Sequence, residues 1–171
     1  MPQAYKITSD PFFVGGRVVQ TVVDQFEQLE ISLPLDSLNQ EGIIVHAVYF
    51  AGDDPDSVAG LQSRVSMQLT STSKTGIVGA QDSNLLSVQQ KFITGGAAEF
   101  SGPHVIDVIA SNEPYQVSDN LGLVATDNLF LAINSNNQTQ LKSANFRAVC
   151  SRIKLTASAY AALVTNELNQ N

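Results

Sequence analysis

Residues 127–155, "DNLFLAINSNNQTQLKSANFRAVCSRIKL", decide the fold, because two apolar-rich arms flank a polar, Asn-filled centre. The first arm (128–134) and the second (145–155) have the partial alternation that is typical of strands. Residues 135–144 connect them, so we predict the last two strands of the chain, joined as a hairpin. The stretch contains no His, no paired carboxylates and no Gly-rich phosphate loop.

Apolar side chains occupy both faces of the second arm: Phe146, Ala148 and Cys150 on one, and Val149, Ile153 and Leu155 on the other. A strand with this pattern is expected to have protein on both sides. We therefore expect Val149→Asp to harm folding or assembly.

Most of the remaining chain has strand character as well. Residues 61–70 alternate cleanly, with Val65, Met67 and Leu69 on one face and polar residues on the other, which predicts a half-exposed strand. Residues 115–125 should be interrupted near Asp119. The other predicted strands are 17–23, 26–33, 42–50, 85–93 and 104–110.

The C-terminal segment changes period and predicts the one helix of the chain, over residues 157–169. Thr156 or Ser158 can cap its first turn. Its apolar residues recur at helical spacing: Tyr160, Leu163, Val164 and Leu168.

Eight to nine short strands, turn signals between them and no intervening helices predict an all-β protein. We expect a β-sandwich or jelly roll with a short C-terminal helix. A parallel α/β fold is excluded, since it needs crossover helices. The 171 residues fit a single domain, 1–171, in which residues 1–16 form an N-terminal arm.

Composition narrows the functional classes. Only 15% of the residues are charged, against about 25% in a typical soluble domain, and the net charge is −7. The nine Lys and Arg residues are scattered, which argues against direct nucleic-acid binding. No apolar window is long enough to insert into a membrane. No signal peptide is visible, so we expect a soluble chain that begins as written.

The possible reactive residues are few. Cys150 is the single cysteine, which excludes an internal disulfide, and its apolar neighbours predict a buried structural thiol. A jelly-roll metal enzyme of the cupin kind needs a His-x-His pair with a nearby Glu, whereas His46 and His104 each stand alone. We therefore expect structural histidines with hydrogen-bond partners.

Asp53, Asp54 and Asp56 share one loop and form a weak calcium candidate. Their spacing does not match an EF-hand, and Asp-Pro-Asp is ordinary turn chemistry, so a solvated loop is the favoured interpretation. Glu27 and Glu30 should lie on opposite faces of a strand and cannot form an acid/base pair. We predict no catalytic residue, no cofactor site and no enzyme activity.

The C-terminal third, "ATDNLFLAINSNNQTQLKSANFRAVCSRIKLTASAYAALV" (125–164), resembles the single jelly-roll capsid proteins of icosahedral viruses. In it a penultimate strand, a polar loop and a long last strand run into a short helix. The resemblance implies an eight-stranded antiparallel jelly-roll β-sandwich with a short C-terminal helix, in which two four-stranded sheets face each other, and capsomers built by lateral contacts. It also implies self-association, other capsid proteins as further partners, and a place in the virion after assembly in the host cytoplasm.

One departure from the family concerns the N-terminal arm. Coat proteins of small RNA viruses often carry a basic arm, but the first sixteen residues here contain Lys6 as their sole basic residue. The chain is therefore more similar to major capsid proteins of bacterial or archaeal DNA viruses.

Two other functional classes stay open. One is a β-sandwich recognition module, either lectin-like or a receptor-binding domain of a fibre or spike, although the lack of Trp lowers the lectin alternative. The other is a jelly-roll enzyme. For a shell subunit the interface candidates are the apolar residues near the two ends of the chain: Phe12, Phe13, Tyr160, Leu163, Val164 and Leu168.

Overall fold

The computed structural model describes residues 4–95, 104–110 and 120–168, with the backbone alone for 104–110 and Leu168. The described residues form ten strands and one α-helix, α1 (Ala157–Leu168). The strands are β1 (Tyr5–Ile7), β2 (Phe12–Val19), β3 (Glu27–Ser32), β4 (Glu41–Gly52), β5 (Gln62–Thr70), β6 (Leu85–Thr94), β7 (His104–Ala110), β8 (Gly122–Val124), β9 (Asn128–Asn136) and β10 (Ser143–Leu155).

The strands form two antiparallel sheets with jelly-roll pairing. In sheet A, β10 lies between β4 and an edge made by β1 and β2, and β8 pairs with β4. Sheet B has the order β3-β9-β5-β6-β7. Eight strands thus pair first with last and inward from both ends: β2 with β10, β3 with β9, β4 with β8, and β5 with β6. This confirms the predicted jelly roll, to which β1 and β7 are additional strands.

The predicted hairpin at the C-terminal end is wrong. Strand β9 belongs to sheet B and β10 to sheet A, so residues 137–142 cross from one sheet to the other. Leu131 and Phe146 both face the shared core, one from each sheet. Alternating apolar and polar residues show that each strand has an apolar face. They do not determine whether two consecutive strands pair side by side in one sheet or face each other from two sheets.

The main core fills the space between the sheets. Large, fully buried side chains come from the centre of each sheet: Ile43, Val45 and Val48 from sheet A, and Val65, Met67, Leu69, Leu129, Leu131 and Ile133 from sheet B. Each such side chain stabilises the fold by about 1.5–3 kcal/mol relative to exposure. Burial on this scale is consistent with a domain that folds without disulfide or metal.

The half-exposed strand predicted over 61–70 is exposed on its polar face at Gln62 and partly at Arg64, but the prediction is wrong for the rest of that face. The side chains of Ser66, Gln68 and Thr70 are at most 1% exposed, because β5 is central in sheet B and residues 71–84 fold back over it. The Gln68 amide donates to the Gly76 carbonyl at 2.9 Å and accepts from the Val78 N–H at 2.8 Å. The loop thus satisfies the hydrogen bonds of the Gln68 amide, whereas the buried Ser66 hydroxyl has no hydrogen-bond partner among the described residues.

The C-terminal helix begins at Ala157, as predicted, and Thr156 caps it through a 3.3 Å bond from the Ala159 N–H. Near its other end the buried Glu167 carboxylate accepts from the N–H groups of Ala125 and Thr126, at 3.2 and 3.0 Å. Burial raises the pKa of Glu167, and the two donors offset part of that effect. The helix is thus joined to the chain beside β8.

The N-terminal segment contributes strands to sheet A. Residues 5–7 pair with the end of β10, and β2 begins at Phe12, five residues before the predicted strand. Residues 12–16 of the predicted arm therefore lie in a strand. "FFVGG" did not indicate a strand because Gly has low strand propensity.

Candidate self-association face

The outer face of sheet A consists of the strand side chains that point away from the core. A bulge in β4 opposite Val149 puts His46 and Ala47 on this side together, so Tyr49 points outward as well. Helix α1 covers one part of the face, where it packs on Ile44, Ile153 and Leu155. The other part is left uncovered by any described element.

Aromatic side chains are exposed on this uncovered part. Phe13 is 67% exposed and Tyr49 46% exposed, and the Arg147 guanidinium lies 5.0 Å from the centre of the Phe13 ring. We call Phe13, Tyr49 and Arg147 the aromatic patch. With Ala51 and Asn145 these residues line a depression of about 450 Å³. Exposed apolar groups gathered in this way mark contact surfaces more often than isolated ones do.

The charged strand residues that point to this face are both arginines, Arg17 of β2 and Arg147 of β10. The Asp53 carboxylate lies at the margin of the face, just after β4, where it accepts from the Ser143 hydroxyl at 2.9 Å. The whole chain carries a net charge of −7. The strands of this face therefore present apolar rings and positive charge, whereas the molecule as a whole is acidic. These properties favour contact with an acidic protein surface.

The predicted interface residues divide into two groups. Phe13 is exposed on the outer face, whereas Phe12 points inward and packs against the main core. Tyr160, Leu163 and Val164 are half-buried against the apolar cluster beneath α1. The side chain of Leu168 lies outside the described residues. These three helix side chains thus contact sheet A of their own chain, and their place at a subunit interface stays a prediction.

Sequence reasoning missed Tyr49 and Val19, which are both exposed on this face. The run 42–50 is almost wholly apolar, and the bulge at His46 changes which residues point outward. Alternation alone could not locate that change. Val19 was visible as a strand residue, but its exposure depends on β2 being an edge strand.

The three clustered aspartates do not converge on a common point. Asp53 accepts from the N–H and hydroxyl of Ser143 at 2.7 and 2.9 Å. Asp54 accepts from the Lys91 ammonium at 2.8 Å, and Asp56 accepts from Lys142. Asp53 and Asp56 therefore tie the loop to the start of β10, and Asp54 ties it to β6.

Asp56 has the best-connected carboxylate of the three. Besides Lys142, it accepts from the N–H and the hydroxyl of Thr139, each at 2.8 Å. Burial acts to raise its pKa, but hydrogen bonds from Lys142 and Thr139 outweigh that effect and lower the pKa to about 2. The carboxylate is therefore ionised at neutral pH and joins the 53–58 loop to the crossing between the sheets.

The residues weighed for catalysis have structural partners. His46 Nε2 lies 3.0 Å from the Ser151 hydroxyl, as expected of a structural histidine, whereas the side chain of His104 lies outside the described residues. Cys150 is fully buried, as predicted, and burial raises the pKa of its thiol to about 12. Glu27 and Glu30 lie opposite Ile133 and Phe130, on the two faces of β3.

Two negative findings apply to the part of the chain that the structure describes. No group of three or more His, Cys, Asp or Glu side chains there is arranged to hold a metal ion. No helix there has the length and apolar character needed to cross a membrane.

Comparison with known proteins gives little further information. No protein-family model and no curated protein sequence matches the chain. Among solved structures, it is similar to one from Desmodium yellow mottle tymovirus, with 13% identity over 91% of each chain and a TM-score of 0.30. A TM-score this low does not establish a shared fold, so the jelly roll is assigned from the strand pairing.

Proposed function

We propose that this protein is a structural subunit of a viral shell, a single jelly-roll capsid protein that assembles through lateral contacts of its sandwich. The observation that carries the proposal is the outer face of sheet A, where the aromatic patch is exposed beside two arginines and no strand carboxylate. Jelly rolls serve as capsid, lectin and cupin domains, so the fold alone does not choose among them.

The partners in this proposal are other copies of the chain and other capsid proteins, in a virion assembled in the host cytoplasm. The neutral polar surface supports it, because uncharged side chains cost less to desolvate than charged ones when many contacts form. Weak contacts repeated around a shell then reinforce one another. The protein has no enzyme activity, inserts into no membrane and makes no direct nucleic-acid contact in this proposal.

The scarcity of basic residues in the N-terminal segment supports a more specific form of the proposal. A coat protein that neutralises its own genome needs clustered cations, but residues 1–16 contain Lys6 alone. We therefore place the protein with the major capsid proteins of bacterial or archaeal DNA viruses.

Replacing Tyr49 with Asp tests the proposal, because it removes an aromatic ring from the patch and places a carboxylate opposite Arg147. We expect assemblies observed by negative-stain electron microscopy to be lost while the thermal unfolding midpoint changes little. The matched control is Leu38→Asp. Leu38 is 93% exposed in a 3₁₀ turn between β3 and β4, away from this face. Equal assembly by both variants and the wild type would remove this face from the proposal.

A recognition module is the second candidate, favoured by the depression at the aromatic patch. Its volume of about 450 Å³ is within the range of small-ligand sites, and an aromatic ring beside a guanidinium can hold a planar or sugar ring. A glycan array distinguishes the two functions. Specific binding that is lost in Tyr49→Asp, by a protein that stays monomeric, would favour the module.

A further inference from the structure

Strand β2 is an edge strand of sheet A without the usual protection against pairing with another chain. Within the described residues it pairs with β10 alone. It contains one charged residue, Arg17, and no proline. The edge strand β3 of sheet B, by contrast, carries Glu27 and Glu30. Charges and prolines are the common means by which edges avoid association, so β2 is the more open edge.

The direction of its backbone groups follows from one hydrogen bond. The Gln20 N–H donates to the Lys142 carbonyl at 2.9 Å, in continuation of the β2–β10 ladder. In an antiparallel pair, residues alternate between facing the partner strand and facing away from it. Phe13, Gly15, Arg17 and Val19 therefore direct their N–H and C=O groups toward the free edge.

The side chains of β2 are also incompletely covered. On the outer face, Phe13 is 67% and Val19 46% exposed. On the inner face, Phe12 and Val14 are half-buried, whereas Ala148 of the adjacent strand β10 is fully buried. A further strand alongside β2 would cover residues on both faces.

The sequence of β2, "FFVGGRVV", is self-complementary about Gly16. If a second copy of β2 lies antiparallel to the first with Gly16 on the two-fold axis, Phe13 faces Val19 of the partner subunit, and Val14 faces Val18 of the partner subunit. Arg17 then faces Gly15 of the partner subunit, so the two arginines do not oppose each other directly. Two-fold pairing of one surface with itself is the commonest symmetry of homo-oligomers.

We propose that β2 pairs with β2 of a second copy of this chain in this register, so that sheet A continues across the contact. This inference rests on the proposed function, because it names one of the self-contacts that a shell subunit needs. The bond directions agree with the register: Phe13 and Val19 both offer backbone groups to the edge, and opposite residues of that kind exchange two hydrogen bonds.

A double-cysteine variant, Phe13→Cys with Val19→Cys, tests the register. Opposite residues in a hydrogen-bonded pair have Cα atoms about 5.5 Å apart, which suits a disulfide. Within one chain the two positions are six residues apart on a strand, or about 20 Å, which excludes an internal bond. Native Cys150 is fully buried and does not take part.

We expect mild oxidation to give a covalent dimer from the double variant, and little from either single variant. In the proposed register each position is about 20 Å from its own copy, so a single cysteine has no partner. Equal crosslinking by the single variants would overturn the register. Assemblies without a covalent dimer would overturn the β2 contact but leave the shell subunit. A monomer at every concentration would overturn both.

A charge exchange provides a second test that does not depend on disulfide chemistry. Phe13→Lys alone and Val19→Asp alone should each weaken association about tenfold, since each disrupts two symmetry-related cross-strand pairs. The double variant places Lys opposite Asp twice and should restore association. Circular dichroism checks that each variant is folded. A folded double variant that associates no better than the single ones would contradict the pairing.

Discussion

Asp56→Asn removes a charge while nearly preserving shape, and it tests the link between the 53–58 loop and the sheet crossing. In the wild type the carboxylate accepts from Lys142 and from both donors of Thr139. The Lys142 side chain is only 7% exposed. The variant therefore leaves a nearly buried ammonium without its counter-ion, which is the costly way to break an ion pair.

The magnitude follows from the lowered pKa. A decrease from 3.8 to about 2, at about 1.4 kcal/mol per pKa unit, corresponds to about 2.5 kcal/mol of stability at neutral pH. The carboxylate is partly open to solvent, with 24% of the side chain exposed, and screening reduces this figure to about 1–2 kcal/mol. Because the folded-state pKa is lowered, the contribution is fully present above about pH 4–5 and is lost as the pH falls toward 2.

Urea unfolding at pH 7 and pH 3 measures both features. We expect Asp56→Asn to lower the free energy of unfolding by about 1–2 kcal/mol at pH 7 and by about half as much at pH 3. Asp54→Asn is the matched control, since Asp54 is 76% exposed in the same loop and should contribute about 0.5 kcal/mol or less. An effect of Asp56→Asn that is no larger than the control, or does not change with pH, would refute the reasoning.

Three further predictions concern packing and exposure. An added Cβ on Gly42 would lie 2.7 Å from the Val124 carbonyl oxygen, so Gly42→Ala should destabilise the fold by about 1–3 kcal/mol in urea unfolding. Gly76→Ala should leave the stability unchanged, because a Cβ added there has no atom within 4 Å. Equal destabilisation by the two variants would contradict this prediction. Cys150 should resist maleimide in the folded protein and react once urea unfolds it, whereas rapid native labelling would show that the thiol is accessible. Val149→Asp places a carboxylate on the half-buried outer face, and light scattering should show loss of assembly; a folded variant that assembles normally would count against that face.

Periodicity predicted the fold class because burial on one side of a strand requires alternation. The predicted strands over 42–50, 85–93 and 145–155 correspond to β4, β6 and β10, with ends shifted by a few residues. Protein on both sides of β10 was predicted for the whole strand and is found at its C-terminal end, where Ile153 lies beneath the helix. Around Arg147 the inner side packs in the main core through Phe146, but the outer side is uncovered. These features depend on the local sequence and on burial.

Features that depend on partners distant in sequence could not be predicted. Whether β9 pairs with β10 or faces it is a property of the two sheets together, and both arrangements need the same apolar residues. The exposure of Tyr49 depends on a bulge that no residue type specifies. The link from Asp56 to Lys142 joins positions 86 residues apart. From the sequence, the aspartates at 53, 54 and 56 indicated only a turn.

The oligomeric state of the wild-type protein, measured by mass photometry across concentration and salt, tests the central claim most directly. A shell subunit should form shells, sheets, or regular trimers or hexamers as the concentration rises. A folded protein that stays monomeric under every condition would contradict the claim.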